Sequence, residues 1–342
     1  MITPIRCGVD TLEATFSGEL DSDTCEEFQR RKDRAQGTGV PESILLCTEE
    51  FFVNPKGAGF WSWLLKNDDI TIMLGTAKNI PTMKVVLSAQ GLASRGVDAL
   101  WKRAREIGTE LGLSPLNLSR IDVCVDFQGW EPTFDEMLHV ICDSPYRPVF
   151  PNTLHPETFQ YGRGEVLFRL YNKSKQIVVK NKLWWRRVWK LWGYDETLPV
   201  WRGEIQLRGP VLTRLQRRDV AEALTDIRAL FLWGLDWCSL RLPTKDSNTR
   251  RWPEHPAWVE LREAYSTEMR LGSLRPVVGI MEYDACVRRL VGIMASAGVS
   301  AGIDDFWELA KCMTTEAELL IEAEYEGGFA EVLEKKRKQK HL

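Results

Sequence analysis

The chain has 342 residues, 44% hydrophobic and 27% charged, with 45 Lys+Arg against 48 Asp+Glu for a formal charge of −3. At about 150 residues per domain this length predicts two or three domains, and the composition excludes wholesale disorder. No apolar run approaches the ~18 residues of a membrane span, and the stretch Met1–Asp10 lacks the apolar core of a signal peptide, so no membrane partner is expected.

Period-two alternation and short apolar runs predict strands near 6–17, 43–53, 69–76 and 82–89, then 119–128, 157–161, 165–173 and 200–208. Helical patterns cover 22–35, 92–112, 132–143, 174–191 and 210–238, then about 254–270, 281–297 and 303–340. Asp21-Ser22 and Pro132-Thr133 are start signals for two of these helices. The order of elements repeats in two halves, and Cys7-Gly-Val-Asp-Thr-Leu-Glu-Ala-Thr-Phe16 echoes Ser119-Arg-Ile-Asp-Val-Cys-Val-Asp-Phe127, as a diverged duplication would. The polar, Pro-containing segment Leu242–Pro256 reads as a linker to an acidic helical region. The expected fold class is therefore α+β, an antiparallel sheet with helices on one face plus a helical C-terminal domain. Its divisions are residues 1–115, 116–240 and 241–342.

Eight cysteines without a Cys-x-x-Cys pair point to reduced thiols and a cytoplasmic protein, and four scattered histidines argue against zinc or a histidine base. The charge is uneven. Residues 161–218 hold fourteen Lys/Arg and four acidic residues, a balance of +10, so the remainder carries −13. Five tryptophans, Trp184, Trp185, Trp189, Trp192 and Trp201, lie in the same stretch. Cations interleaved with rings suit a phosphate backbone and stacked bases. The competing reading makes the tryptophans the apolar side of an amphipathic helix over 174–191. A second basic cluster, Lys335–Lys340, reads as a solvated tail.

Strand periodicity concentrates chemistry on one face. In 120–128, Ile121, Val123, Val125 and Phe127 oppose Arg120, Asp122, Cys124, Asp126 and Gln128. In 165–173, Val166, Phe168 and Leu170 oppose Arg169, Tyr171 and Lys173. In 200–208, Trp201, Ile205 and Leu207 oppose Arg202, Glu204, Gln206 and Arg208. One polar face of an antiparallel sheet can simply meet solvent or hold cross-strand ion pairs. If the three strands pair, it can equally hold a hard cation such as Mg²⁺ or Mn²⁺ and activate a tyrosine. Asp122 and Asp126 stand about 13 Å apart along a strand, too far to share an ion simply, so Asp122 with Glu204 is the preferred pair and Asp126 the second choice.

Arg120-Ile-Asp-Val-Cys-Val-Asp126, Phe168-Arg-Leu-Tyr-Asn-Lys173 and Trp201-Arg-Gly-Glu-Ile-Gln-Leu-Arg208 resemble, in this order, the trans-acting rolling-circle replication initiators of plasmids and filamentous phages, with relaxase cousins in conjugative elements. The likeness runs from residue 1 to about 260, including Gly8-Val-Asp-Thr-Leu12 and Ser247-Asn-Thr-Arg-Arg-Trp-Pro253. It implies two RRM-like, nickase-like halves. It also implies a DNA-nicking and strand-transfer enzyme, in which Tyr171 attacks an origin phosphodiester to leave a 5′-phosphotyrosyl link and a 3′-OH primer. In that reading Lys173 assists, Asp122, Glu204 and Asp126 hold Mg²⁺ or Mn²⁺, and Arg169, Arg202, Arg208, Lys175 and Arg120 contact DNA. The implied partners are single-stranded or hairpin origin DNA, a host helicase and polymerase, and a second copy of the chain. Tyr161, one strand earlier, is the rival nucleophile. No His-hydrophobic-His motif is present, as suits a carboxylate-only branch. A conjugative relaxase, a non-enzymatic single-strand binder and an interaction scaffold for an acidic partner are the alternatives.

Overall fold

The computed structural model describes residues 2–146, 149–152, 155–265 and 278–339. The chain divides into two compact units, Met1–Val277 and Val278–Leu342. The first begins with the long strand β1 (Thr3–Gly18) and helix α1 (Ser22–Thr38). Asp21 caps α1 by accepting the Thr24 N–H, and Gly39 closes it in the left-handed region. The predicted strand at 43–53 is a hairpin, β2 (Glu42–Leu46) and β3 (Glu49–Val53). Cys47 and Thr48 both take positive φ, 46° and 69°, and so supply a two-residue turn. Strands β4 (Trp63–Lys66), β5 (Ile70–Leu74) and β6 (Met83–Leu87) follow. The predicted helix at 92–112 is two, α2 (Ala89–Arg95) and α3 (Val97–Glu110), separated by Gly96 at φ 82°.

The second run begins with β7 (Leu113–Gln128), as long as β1, then α4 (Phe134–Met137), β8 (Val140–Cys142), β9 (Val149–Asn152), β10 (His155–Arg163) and β11 (Val166–Asn172). Helices α5 (Lys173–Val179) and α6 (Trp185–Lys190) replace the single helix expected at 174–191, because Asn181 turns the chain at φ 51°. After β12 (Trp201–Arg208), the helix expected at 210–238 becomes α7 (Gly209–Arg214), α8 (Val220–Thr225) and α9 (Ile227–Trp237). Gln216 at φ 55° ends the first, and Asp219 caps the second. Strand β13 (Cys238–Leu240) pairs with β8, and α10 (Pro256–Ala264) completes the described part of this unit.

One antiparallel sheet runs through the unit in the order β2-β3-β4-β5-β6-β1-β7-β12-β11-β10-β9. The fold is α+β. β1 and β7 pair at its centre, and each is flanked by the last strand that its own run contributes to this sheet, β6 beside β1 and β12 beside β7. One expectation is corrected: helices cover both faces near β12. On the apolar face Leu261 of α10 lies against Gly203, Trp258 of α10 packs on Phe168 at 5.2 Å, and Gly234 of α9 meets Ile205. On the polar face Trp185 and Trp189 of α6 lie fully buried over Arg202 and Asp126. Residues 241–264, grouped by sequence with the C-terminal helices, sit in the first unit because Trp258 and Leu261 belong to its core.

The second unit comprises α11 (Val278–Ala301), α12 (Phe306–Glu324), capped by Asp305, and α13 (Gly328–Gln339). The helix expected at 303–340 breaks before Gly328, which takes φ 60°. Lys340 lies outside the described residues. Among the described residues no helix is long and apolar enough to cross a membrane.

Candidate active site

Strands β7, β12 and β11 are neighbours, so the three sequence blocks meet. Asp126 pairs with Arg202, Cys124 with Glu204, and Asp122 with Gln206 across β7 and β12. Arg169 pairs with Glu204, and Tyr171 with Arg202, across β11 and β12. Period-two geometry then aims Asp122, Cys124, Asp126, Arg202, Glu204, Arg169 and Tyr171 to one side.

That side is not open to solvent. Arg202 and Asp126 are both 0% exposed, and Asp122, Glu204 and Lys173 are buried with them. A buried charge persists only where it is matched, and the matching here is extensive. Asp126 accepts from Arg202 Nη2 at 2.8 Å, from Arg202 Nε, and from Trp189 Nε1 at 2.9 Å. Arg202 also reaches Asp10 of β1. The β1–β7 register shifts between Val9 and Thr11, and this bulge leaves Asp10 without a partner on β7. Burial is the largest influence and pushes Asp10 and Asp126 upward, but the charges of Arg202, Lys173 and Arg6, with the hydrogen bonds of Arg202, together outweigh it and hold both below the usual carboxylate range. Trp185 carries the Arg202 guanidinium 4.6 Å from its ring centroid and the Lys173 ammonium at 5.2 Å.

Tyr171 lies between two of these groups. Its hydroxyl donates to Glu204 Oε2 at 2.9 Å and accepts from Lys173 Nζ at 3.2 Å. Burial, followed by the charge of Glu204, raises the Tyr171 hydroxyl well above its ordinary value of 10.0. Burial and then Arg202 draw Lys173 down to about 8. Tyr171 is 5% exposed and is among the residues that line a groove of about 330 Å³, with Arg169, Gln160, Asn172 and Lys175. Lys175 is exposed at the rim and bridges to Glu157 at 2.7 Å.

Arg120 Nε donates to Asp122 Oδ1 at 2.7 Å, and Arg169 joins Glu204 to Asp122, the latter at 3.8 Å. Burial pushes Asp122 up to about 7, with the neighbouring charge of Glu204 adding to it against the pull of Arg120 and Arg169. Among the described residues no three His, Cys, Asp or Glu side chains are arranged to hold a metal ion. The chemistry of the donor set still separates the three carboxylates. Asp126 has its oxygens filled by Arg202 and Trp189. Asp122 and Glu204 repel each other across a single arginine, and a divalent cation with water and phosphate oxygens in its other positions suits such a pair.

Of the remaining expected residues, Arg208 is exposed at the end of β12 beside Arg120. Arg202 differs from expectation: it is sealed between Asp126, Asp10 and Trp185, and presents nothing to a strand. Tyr161 is paired with Phe168 on the apolar side of the sheet, and its hydroxyl donates to the Met137 carbonyl at 3.0 Å. The tryptophans follow the amphipathic reading: Trp184, Trp185 and Trp189 are buried while Arg186, Arg187 and Lys190 are exposed. Periodicity missed Asp10 and Arg6 because both belong to β1, distant in sequence. The echo of Val9-Asp10 in Ile121-Asp122 was the available signal for Asp10.

No known family profile and no curated protein matches the chain. Among solved structures, the chain is similar to a rolling circle replication initiator protein from Geobacillus stearothermophilus, with 17% identity over 79% of this chain and 97% of that one, at a TM-score of 0.45.

Proposed function

We propose that the protein nicks DNA by tyrosine attack, as a replication initiator of the rolling-circle type acting on single-stranded or hairpin origin DNA. The observation that carries this reading is the Tyr171 hydroxyl, held between Glu204 and Lys173, on a residue that also lines a groove. The motif resemblance of the three strands supports it. In the reaction the Tyr171 oxygen attacks the phosphorus and its proton passes to Glu204 Oε2. The P–O3′ bond breaks, and the 3′-oxygen takes a proton from solvent to become a hydroxyl. The products are a 5′-phosphotyrosyl link and a 3′-OH for a polymerase to extend.

Each neighbour has a task in this scheme. Lys173 keeps its proton at neutral pH and offsets charge on the phenolate. Asp122 and Glu204 would hold Mg²⁺ or Mn²⁺, which polarises a phosphoryl oxygen. Asp126, Arg202, Asp10 and Trp189 position the sheet beneath the reacting atoms. Arg169, Lys175, Arg120 and Arg208 meet the phosphates of the strand. A conjugative relaxase would use the same groups in the same chemistry. Simple single-strand binding is less well served, because a tyrosine that is 5% exposed has no face on which a base can stack.

The test mixes the protein with an origin-type oligonucleotide and Mg²⁺ and looks for a protein–DNA adduct stable to denaturation. Tyr171→Phe is expected to abolish the adduct while DNA binding survives, and chelation by EDTA is expected to stop cleavage until Mg²⁺ or Mn²⁺ is restored. An adduct formed by Tyr171→Phe would overturn the nucleophile, and cleavage in EDTA would overturn the metal.

A further inference from the structure

The cysteines are scattered along the chain, but the fold puts two of them side by side. Strand β13 pairs antiparallel with β8, and Cys238 stands directly opposite Cys142 in that ladder. Both carry thiols and both are buried, Cys142 at 9% exposure and Cys238 at 0%. Directly opposed residues of an antiparallel pair send their side chains to the same face.

Such pairs alternate between a hydrogen-bonded kind and a closer kind without mutual hydrogen bonds, and the backbone tells which kind this is. One step past Leu240, the Arg241 N–H donates to the His139 carbonyl at 3.3 Å, which marks a hydrogen-bonded position. Alternation then makes Leu240–Val140 non-hydrogen-bonded, Ser239–Ile141 hydrogen-bonded and Cys238–Cys142 non-hydrogen-bonded. Two further bonds agree. The Leu240 carbonyl accepts from the His255 N–H at 3.0 Å, and the Cys238 N–H donates to the Gly234 carbonyl of α9, so neither group is spent on β8. At a non-hydrogen-bonded position the Cα atoms lie about 4.5 Å apart, inside the roughly 4.4–6.8 Å over which a disulfide closes.

The two sulfurs differ in their surroundings. Cys142 ends β8 beside the exposed Asp143, and its Sγ accepts the Ser144 N–H at 3.4 Å. A backbone N–H on the sulfur favours the thiolate, the form that attacks a disulfide. From this we infer that Cys142 and Cys238 are a redox couple that closes to a disulfide, with Cys142 as the attacking sulfur and Cys238 as the resolving one. The Cys142 thiolate attacks a low-molecular-weight disulfide such as oxidised glutathione and releases one glutathione thiolate. The Cys238 thiolate then attacks the Cys142 sulfur and releases the second. The two glutathione thiolates take up the two cysteine protons, so the couple loses two electrons and one glutathione disulfide becomes two thiols. The new bond closes a covalent loop that contains β10, β11 and β12, and with them Tyr171, Lys173, Arg202 and Glu204. A closed loop of this length restricts the unfolded chain, so oxidation stabilises these strands. The couple stands independently of the nicking reading.

The test treats the fully reduced full-length chain with oxidised glutathione, alkylates it in denaturant and maps its peptides by mass spectrometry. The expected product joins the Cys142 peptide to the Cys238 peptide, while glutathione on the exposed Cys312 reports that the oxidant acted. Dithiothreitol is expected to lower the urea midpoint of the oxidised protein. That shift is expected to vanish in Cys238→Ala and to persist in Cys312→Ser, which changes an exposed position and leaves the pair intact. Because Cys238 is buried, the peptide map of the unmutated chain decides the matter if Cys238→Ala does not fold. Cys142 and Cys238 both alkylated in a sample whose Cys312 carries glutathione would overturn the couple. So would glutathione retained on Cys142, or a link from Cys142 to any other cysteine.

Discussion

Tyr161 and Tyr171 lie on adjacent strands, and the pleat sends them to opposite sides: one hydroxyl is fixed to a carbonyl, the other sits between a carboxylate and an ammonium. Residue identity alone could not separate them. Asp122 is the site's most informative titrating group, carried from an ordinary 3.8 to about 7, first by burial. A carboxyl raised on folding contributes stability that is whole below about pH 4 and is lost as pH rises through about 7. In metal-free buffer, wild type should therefore lose stability relative to Asp122→Asn between about pH 4 and pH 7. Urea midpoints of the two proteins across that range measure it, and a difference that does not change with pH would contradict the raised carboxyl.

At the scale of elements, α6 was legible as an amphipathic surface because its tryptophans and arginines obey the helical period. Its location was not, since periodicity says which side of a helix is apolar and not what lies beneath it. The polar strand face looked open for the same reason, whereas α6 roofs it and turns a solvated sheet into a buried network. The opposite face shows how closely β12 is held. A Cβ on Gly234 of α9 would fall 2.5 Å from Ile205 Cγ1, on the strand that carries Arg202 and Glu204. Gly234→Ala is expected to cost about 1–3 kcal/mol by overpacking. Equilibrium unfolding reads the loss, and an unchanged midpoint would mean that α9 yields freely.

At the scale of the molecule, a formal charge of −3 is the sum of a basic tract and an acidic remainder, and every residue assigned to the Tyr171 site lies in the first unit. A chain ending at residue 277 should therefore still form the covalent adduct at an unchanged rate; a folded truncation that forms none would place a required group in the C-terminal helices. The sequence by itself determined the strand faces, the three polar blocks and the tyrosine among them, because alternation and charge are local properties. The tertiary structure alone decided that β1 lies against β7, which brings Asp10 and Arg6 to the site from more than a hundred residues away. It also decided that tryptophans roof the charges, and that Arg202 braces the site without reaching its surface. Long-range pairing and burial depend on which surfaces meet, and no period within a single segment encodes that.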